Sequence, residues 1–317
     1  MVKPPHWPCQ RQLKKGYWTR HRRGNVTRIF GDYDQDQLSA QYNQRTLIPD
    51  IGSYSERAQE ATKAARAEFD CEARVPYGAG KDQWMAVYRS KNAEINDAPI
   101  LIYFHGGAWL MSEEGRDGQV APEFVRAGAV FVAPNFGVVP ELSLNTMVRQ
   151  CREAVAYCYQ NAASLGGDAS RIHVCGHSSG SHLTAMTAVT DWAAEFGLPA
   201  DLIKGATLVS GPYDLAPVRL SARNDYLHLD AEAEQRNSPG RHIRANAPPA
   251  IYAYGGGELE EFQRQSRDLS TAWEAATGRA SAPLAFPDTN HFQMREEYGR
   301  AGGPLAKAVL EQMGLKS

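Results

Sequence analysis

Short runs of β-branched, aliphatic and aromatic residues recur along the chain at 87–89, 100–104, 129–133, 171–175, 206–209, 251–254 and 284–286. Most of these runs are nearly continuous in apolar character, as expected of strands buried on both faces. Longer segments with a helical period separate them. The clearest places Leu144, Met147, Val148, Cys151, Val155 and Cys158 on one stripe at i, i+3, i+4 and i+7 spacing, which marks a helix with one buried face. Strand and amphipathic helix in alternation predict an α/β fold, a mostly parallel central sheet with helices on both faces. No internal repeat or low-complexity linker interrupts the series, so a single domain is expected.

Two stretches fall outside the alternation. Residues 1–70 read as an N-terminal extension packed like a cap over the domain at 71–317, and its alanine-rich 55–69 portion has helical propensity. Residues 215–249 carry Arg223, Asn224, Asp225, Asn237, Ser238, Pro239 and Gly240 with few periodic apolar positions. They read as an excursion from the sheet edge of the kind that shapes a pocket.

At 317 residues, with 43% hydrophobic and 22% charged positions, the chain has the makeup of a globular protein with a large core. Its formal net charge of −2 provides no global attraction for nucleic acid or an anionic membrane. The first 30 residues are locally basic, with Lys14, Lys15, Arg22 and Arg23 among aromatics such as Trp7, Tyr17 and Trp18. They read as a solvated terminal segment held down by those aromatics, with a nucleic-acid arm as the alternative. No apolar run follows them as in an export signal, and none elsewhere is long enough to span a bilayer, so a cytoplasmic protein with no membrane partner is expected. Cys9, Cys71, Cys151, Cys158 and Cys175 show no CxxC or Cys/His ligand spacing, and reduced core thiols are expected.

The chemistry concentrates at the ends of the predicted strands. Gly176-His177-Ser178-Ser179-Gly180 follows the strand at 171–175 and opens a helix-like run. A serine on so tight a strand-to-helix turn is lifted to the carboxyl edge of the sheet, with a helix N-terminus aimed at developing negative charge. Upstream, His105-Gly106-Gly107-Ala108-Trp109 directly follows the strand at 100–104. A glycine pair there allows backbone N–H groups of Gly106 and Gly107 to converge with that of Ser179 on an oxyanion. Downstream, His291 begins the loop after the last strand and is the candidate base for Ser178. Glu258 is the first carboxylate past the 251–254 strand and the candidate acid, with Asp214 and Asp288 as alternatives. Glu260 and Glu261 read as first-turn residues favoured by the helix dipole. His182 reads as structural, and His228 and His242 as surface residues. Trp109, Tyr213 and Phe292 lie just past predicted strand ends at the same edge, where they would wall an aryl-binding pocket.

Other chemistries fail on spacing. Gly78-Ala-Gly80-Lys81 lacks both the leading glycine and the trailing Ser/Thr of a phosphate loop, and HExxH, EF-hand and GxGxxG patterns are missing. Neither a metal nor an organic cofactor is implied. The residues support acyl transfer to water, with ester, amide and carbamate substrates all open.

Together, His105-Gly-Gly-Ala-Trp109, Gly176-His-Ser-Ser-Gly-Ser-His-Leu183, Ser210-Gly-Pro-Tyr-Asp-Leu215, Glu258-Leu-Glu-Glu-Phe262 and Gln41-Tyr-Asn-Gln-Arg45 resemble the arylformamidase (kynurenine formamidase) branch of the α/β-hydrolases. That branch is related to the hormone-sensitive-lipase-like esterases. The resemblance implies an α/β-hydrolase fold and hydrolysis of an N-formyl arylamine such as N-formylkynurenine. Ala108, Ser179, Ser181 and Glu258 depart from the family, which more often has a bulky aromatic, two alanines and an aspartate there. An esterase or carbamate hydrolase on small aryl substrates is the competing expectation. A noncatalytic ligand-binding relative is a third, disfavoured by the presence of serine, carboxylate and histidine together. The expected partner is a small aromatic substrate, and a homodimer is left open.

Overall fold

The computed structural model describes residues 27–91, 97–112, 117–280 and 282–316. Eight strands form one sheet: β1 (Asp70–Pro76), β2 (Trp84–Arg89), β3 (Ala98–Phe104), β4 (Val130–Pro134), β5 (Gly167–His177), β6 (Ile203–Val209), β7 (Ala250–Gly255) and β8 (Leu284–Phe286). Their spatial order is β1-β2-β4-β3-β5-β6-β7-β8. β2 runs antiparallel to both β1 and β4, and every pairing from β4 through β8 is parallel.

Parallel strands in the middle of such a sheet are covered on both faces, and the side-chain period of two divides each strand between two cores. In β3, Ile100, Ile102 and Phe104 join one buried cluster while Leu101 and Tyr103 join the other. β4 splits the same way, Val130 and Val132 against Phe131 and Ala133. The first face is covered by helices Leu144–Gln160, Ser179–Ala188 and Glu260–Thr277, and the second by Ala121–Arg126, His291–Tyr298 and Pro304–Gln312. Helix Leu144–Gln160 buries all six stripe residues read from the sequence, and Ser143 caps its N-terminus by accepting from the Thr146 N–H.

The predicted strands are present, most of them with longer bounds, and β1 is an addition. That strand is an edge strand whose Asp70, Glu72, Ala73 and Arg74 are exposed, so no apolar pattern announced it. The alanine-rich helix runs Gly52–Glu68, and the excursion folds into short helices Leu215–Leu220, Asn224–Leu227 and Ala231–Arg236. None of Cys71, Cys151, Cys158 and Cys175 is in a disulfide. Cys9 and the basic, aromatic segment around it lie outside the described residues. No helix among the described residues is long and apolar enough to cross a membrane.

Candidate active site

Five parallel strands deliver loops to one edge of the sheet, where open α/β folds place their chemistry. β3 leads to Gly106, β5 to Ser178, β6 to Ser210, β7 to Glu258 and β8 to His291. Ser178 has φ 57° and ψ −130°, a conformation that a non-glycine residue holds only where its surroundings over-determine it. Here the Ser178 N–H donates to Val209 O (3.0 Å), and its carbonyl accepts from the N–H of Ser181 (2.9 Å) in the helix that follows. A Cβ on Gly180 would run into the carbonyl oxygens of Phe104 and His105. The turn can close against β3 only because that position is glycine.

Ser178 Oγ lies 2.9 Å from His291 Nε2, and His291 Nδ1 lies 2.8 Å from Glu258 Oε1. A carboxylate only accepts, so Nδ1 carries the proton, and Nε2 is left to accept the Ser178 hydroxyl. The imidazole is clamped in this orientation by the edge of Phe262 (4.8 Å between centroids), by Phe292 (5.5 Å) and by His177 (4.6 Å). Asn290 fixes the start of the helix that bears it: its side chain accepts from the Phe292 and Gln293 N–H groups, completing a capping box.

Burial acts on the pair in opposite senses. It pushes His291 well below the ordinary imidazole value, and the charges of Arg223 and Arg295 add to that effect. The resting ring is therefore uncharged, the form that accepts a proton. Burial likewise raises the Glu258 carboxyl, while the Gly255 N–H donating to Oε2 (3.3 Å) opposes it. An imidazolium formed at His291 would offset that desolvation most, so the carboxylate is worth most after proton transfer.

His177, Glu258 and His291 also bring one ligand atom each within 4.8 Å, as a metal site would. Both nitrogens of His291 are already committed, to Ser178 and to Glu258. The donor set therefore fits a proton relay rather than a cation.

Beside Ser178, a Cβ on Gly106 would lie 3.0 Å from the Ser178 Cβ and 2.7 Å from His177 O, so the glycine loop lies directly against the serine. Gly107, Ala108 and Trp109 all take positive φ. This strained loop is tied down when the Trp109 N–H donates to Ser179 Oγ (3.2 Å) and its indole N–H donates to His182 Nδ1 (3.2 Å). His182 passes the chain on by donating from Nε2 to Asn237 O (2.7 Å). It is buried, as its structural reading required.

Asp214 caps helix Leu215–Leu220 by accepting from the Ala216 N–H, and Asp288 lies exposed in a turn. Neither shares in the arrangement around His291. His228 and His242 are exposed. Glu260 and Glu261 lie in the first turn of helix Glu260–Thr277, as read from the sequence, and Glu261 is in addition buried and bonds Tyr42, Arg264 and Gln265. The three aromatics differ. Trp109 and Tyr213 are buried, with the Tyr213 hydroxyl 2.8 Å from Ser181 Oγ, whereas Phe292 is half-buried beside Tyr54. His177 and Arg223 were not singled out from sequence as neighbours of the base, and only their place in the folded loops shows it.

A GxSxG turn, an upstream glycine loop and a histidine after the last strand, on this sheet, define an α/β-hydrolase. The BD-FAE family model matches residues 85–272. Kynurenine formamidase of Salmo salar is 31% identical over 89% of this chain and 98% of its own, and that of Danio rerio is 31% identical over 88% and 97%. Among solved structures, the Pyrobaculum calidifontis esterase superposes with a TM-score of 0.65 at 21% identity, over 86% of this chain and 98% of the esterase. The chain belongs to the BD-FAE family, in the arylformamidase-like branch of the α/β-hydrolases, and is a hydrolase of small substrates.

Proposed function

We propose that this chain is a serine hydrolase that works through an acyl-enzyme at Ser178 on a small aryl amide such as an N-formyl arylamine. The Ser178–His291–Glu258 relay carries the reading. His291 Nε2 takes the Ser178 proton as Oγ attacks the carbonyl carbon, and Glu258 holds the Nδ1–H tautomer and stabilises the imidazolium. The oxyanion is received by the N–H groups of Gly106, Gly107 and Ser179, none of which has a protein acceptor among the described residues. His291 then protonates the departing arylamine nitrogen. Water, deprotonated by the same imidazole, cleaves the acyl-enzyme, releasing the acid and restoring the Ser178 hydroxyl.

The aryl amide assignment rests on the likeness to two kynurenine formamidases over nearly their whole length. Aryl esters form the second reading, favoured by the esterase whose fold this chain shares. The departures from the family are consistent with either, since Ser179 and Ser181 both use their hydroxyls inside the protein, on Trp109 N–H and on Tyr213. Phe292, half-buried beside the base, supplies the aryl contact, and Trp109 and Tyr213, both buried, brace the surrounding loops through Ser179, His182 and Ser181. Relative kcat/KM on N-formylkynurenine and on a short-chain aryl acetate tests the assignment. A preference for the formamide supports it, and hydrolysis of the acetate alone replaces it with the esterase reading.

A further inference from the structure

The segment 41–44 lies far in sequence from the loop that carries the acid, yet it hydrogen-bonds to the residues that directly follow Glu258. Three consecutive glycines, Gly255, Gly256 and Gly257, precede Glu258, so the chain entering the acid has little stiffness of its own. One flank of that loop is anchored to the histidine strand: the Gly256 N–H donates to Phe286 O (2.8 Å) and the Gly257 N–H to Thr289 O (3.1 Å). The other flank opens helix Glu260–Thr277, whose N-cap residue Leu259 has no side chain able to cap it. Residues of the N-terminal extension perform that task. Gln44 Oε1 accepts from the Leu259 N–H (3.2 Å), and Gln41 Oε1 accepts from the Glu261 N–H (3.3 Å).

Tyr42, between the two glutamines, locks the same turn from its side chain and its backbone. Its hydroxyl donates to Glu261 Oε2 (3.2 Å) and accepts from Gln265 Nε2 (2.9 Å). Burial first, and the Glu261 charge second, raise this phenol well above its ordinary value, so it stays protonated and able to donate. The Tyr42 carbonyl accepts from the Arg223 guanidinium, and its ring lies 6.0 Å from that of Phe262, the residue that packs on His291.

We infer that Gln44, with Gln41, is a positioning residue of the reaction: it caps, from the N-terminal extension, the helix that follows Glu258 and so holds Glu258 in register with His291. This rests on Glu258 acting as the acid. The Leu259 N–H belongs to the peptide bond that ends Glu258, so fixing it fixes the backbone from which the carboxylate hangs. Gln44 is buried, and its Nε2 has no partner among the described residues, so the acceptor oxygen is the atom that matters.

The test uses the full chain with Gln44→Met, which keeps the shape and removes the acceptor, and Gln44→Glu, which keeps the acceptor. Gln44→Met is expected to lower kcat about tenfold with KM changed by less than about twofold. It should also move the acid limb of kcat/KM to lower pH, because a loosened carboxylate stabilises the imidazolium less. Gln44→Glu is expected to recover most of kcat and to move that limb to higher pH through its added negative charge. Gln41→Leu should shift kcat and the acid limb in the same direction as Gln44→Met, and serves if that variant does not fold. Glu258→Gln is measured alongside. If it is nearly silent, the acid has been misassigned. If it falls steeply while Gln44→Met and Gln41→Leu keep wild-type kcat and pH profile, the positioning role is overturned and the acid stands.

Discussion

Glu258→Gln isolates the electrostatic part of the relay, because it preserves volume and removes only the charge. The Glu258 side chain is fully buried and that of His291 is 7% exposed, so solvent screens the pair little. Opposite charges about 4 Å apart at an effective dielectric of about 20 attract by roughly 4 kcal/mol. That attraction is gained mainly after His291 takes the Ser178 proton. At about 1.4 kcal/mol per decade, losing it should slow turnover roughly 10³-fold. The assay is kcat and kcat/KM on one aryl substrate across pH, with thermal unfolding to show the fold intact. The acid limb for the wild type should lie below the ordinary imidazole value of about 6.5, and the variant's should lie lower still, since removing an anion favours the neutral ring. A loss of less than about tenfold would mean that Glu258 carries no charge in the working state, and the reasoning would fail. A larger loss in Asp214→Asn or Asp288→Asn would place the acid elsewhere.

Gly180→Ala should cripple both folding and activity, since its Cβ meets the fixed backbone carbonyls of Phe104 and His105; soluble yield and Tm check it, and a wild-type Tm would contradict the packing. Buried His173, His177, His182 and His291 are all held below their ordinary value, with desolvation the first cause in each. The unfolded chain therefore takes up more protons at these sites, and their contribution to stability is lost as pH falls below about 6.5. Glu258, raised by burial, works in the opposite sense at its single site. Tm should drop between pH 6.5 and pH 5, and a flat or rising Tm would contradict the neutral assignments. Phe292→Ala should reduce kcat/KM on aryl substrates severalfold more than on acetates of short alkyl alcohols; equal losses would mean that the ring only packs the base.

Much of this arrangement was legible because its signals are local. The strand runs at 100–104 and 171–175 are each a short local stretch, and the glycine turns that follow them are written in five or so adjacent letters. What escaped the sequence is either exposed or non-local. β1 carries polar side chains because it is an edge strand exposed along most of its length, so neither alternation nor a hydrophobic run marks it. Gln44 meets Leu259 across 215 residues, and Tyr42 meets Glu261 across 219; no spacing rule reaches that far. Glu261 followed a sound local rule, an acid in the first turn of a helix, yet tertiary packing buried it under Tyr42 and Arg264. Trp109 illustrates the same limit: its position past β3 was readable, but not the His182 acceptor that buries its indole N–H.

The central claim is that Ser178 forms the covalent bond to the acyl group. It is tested most directly by treating the protein with an aryl phosphonate, which stands in for the tetrahedral intermediate, and mapping the adduct by mass spectrometry. One adduct per chain is expected, on Ser178, forming with loss of activity, slowed strongly in His291→Ala and missing in Ser178→Ala, which should also be inactive though folded. Turnover by purified Ser178→Ala above a few per cent of wild type, or a stoichiometric inactivating adduct on another residue, would contradict the account.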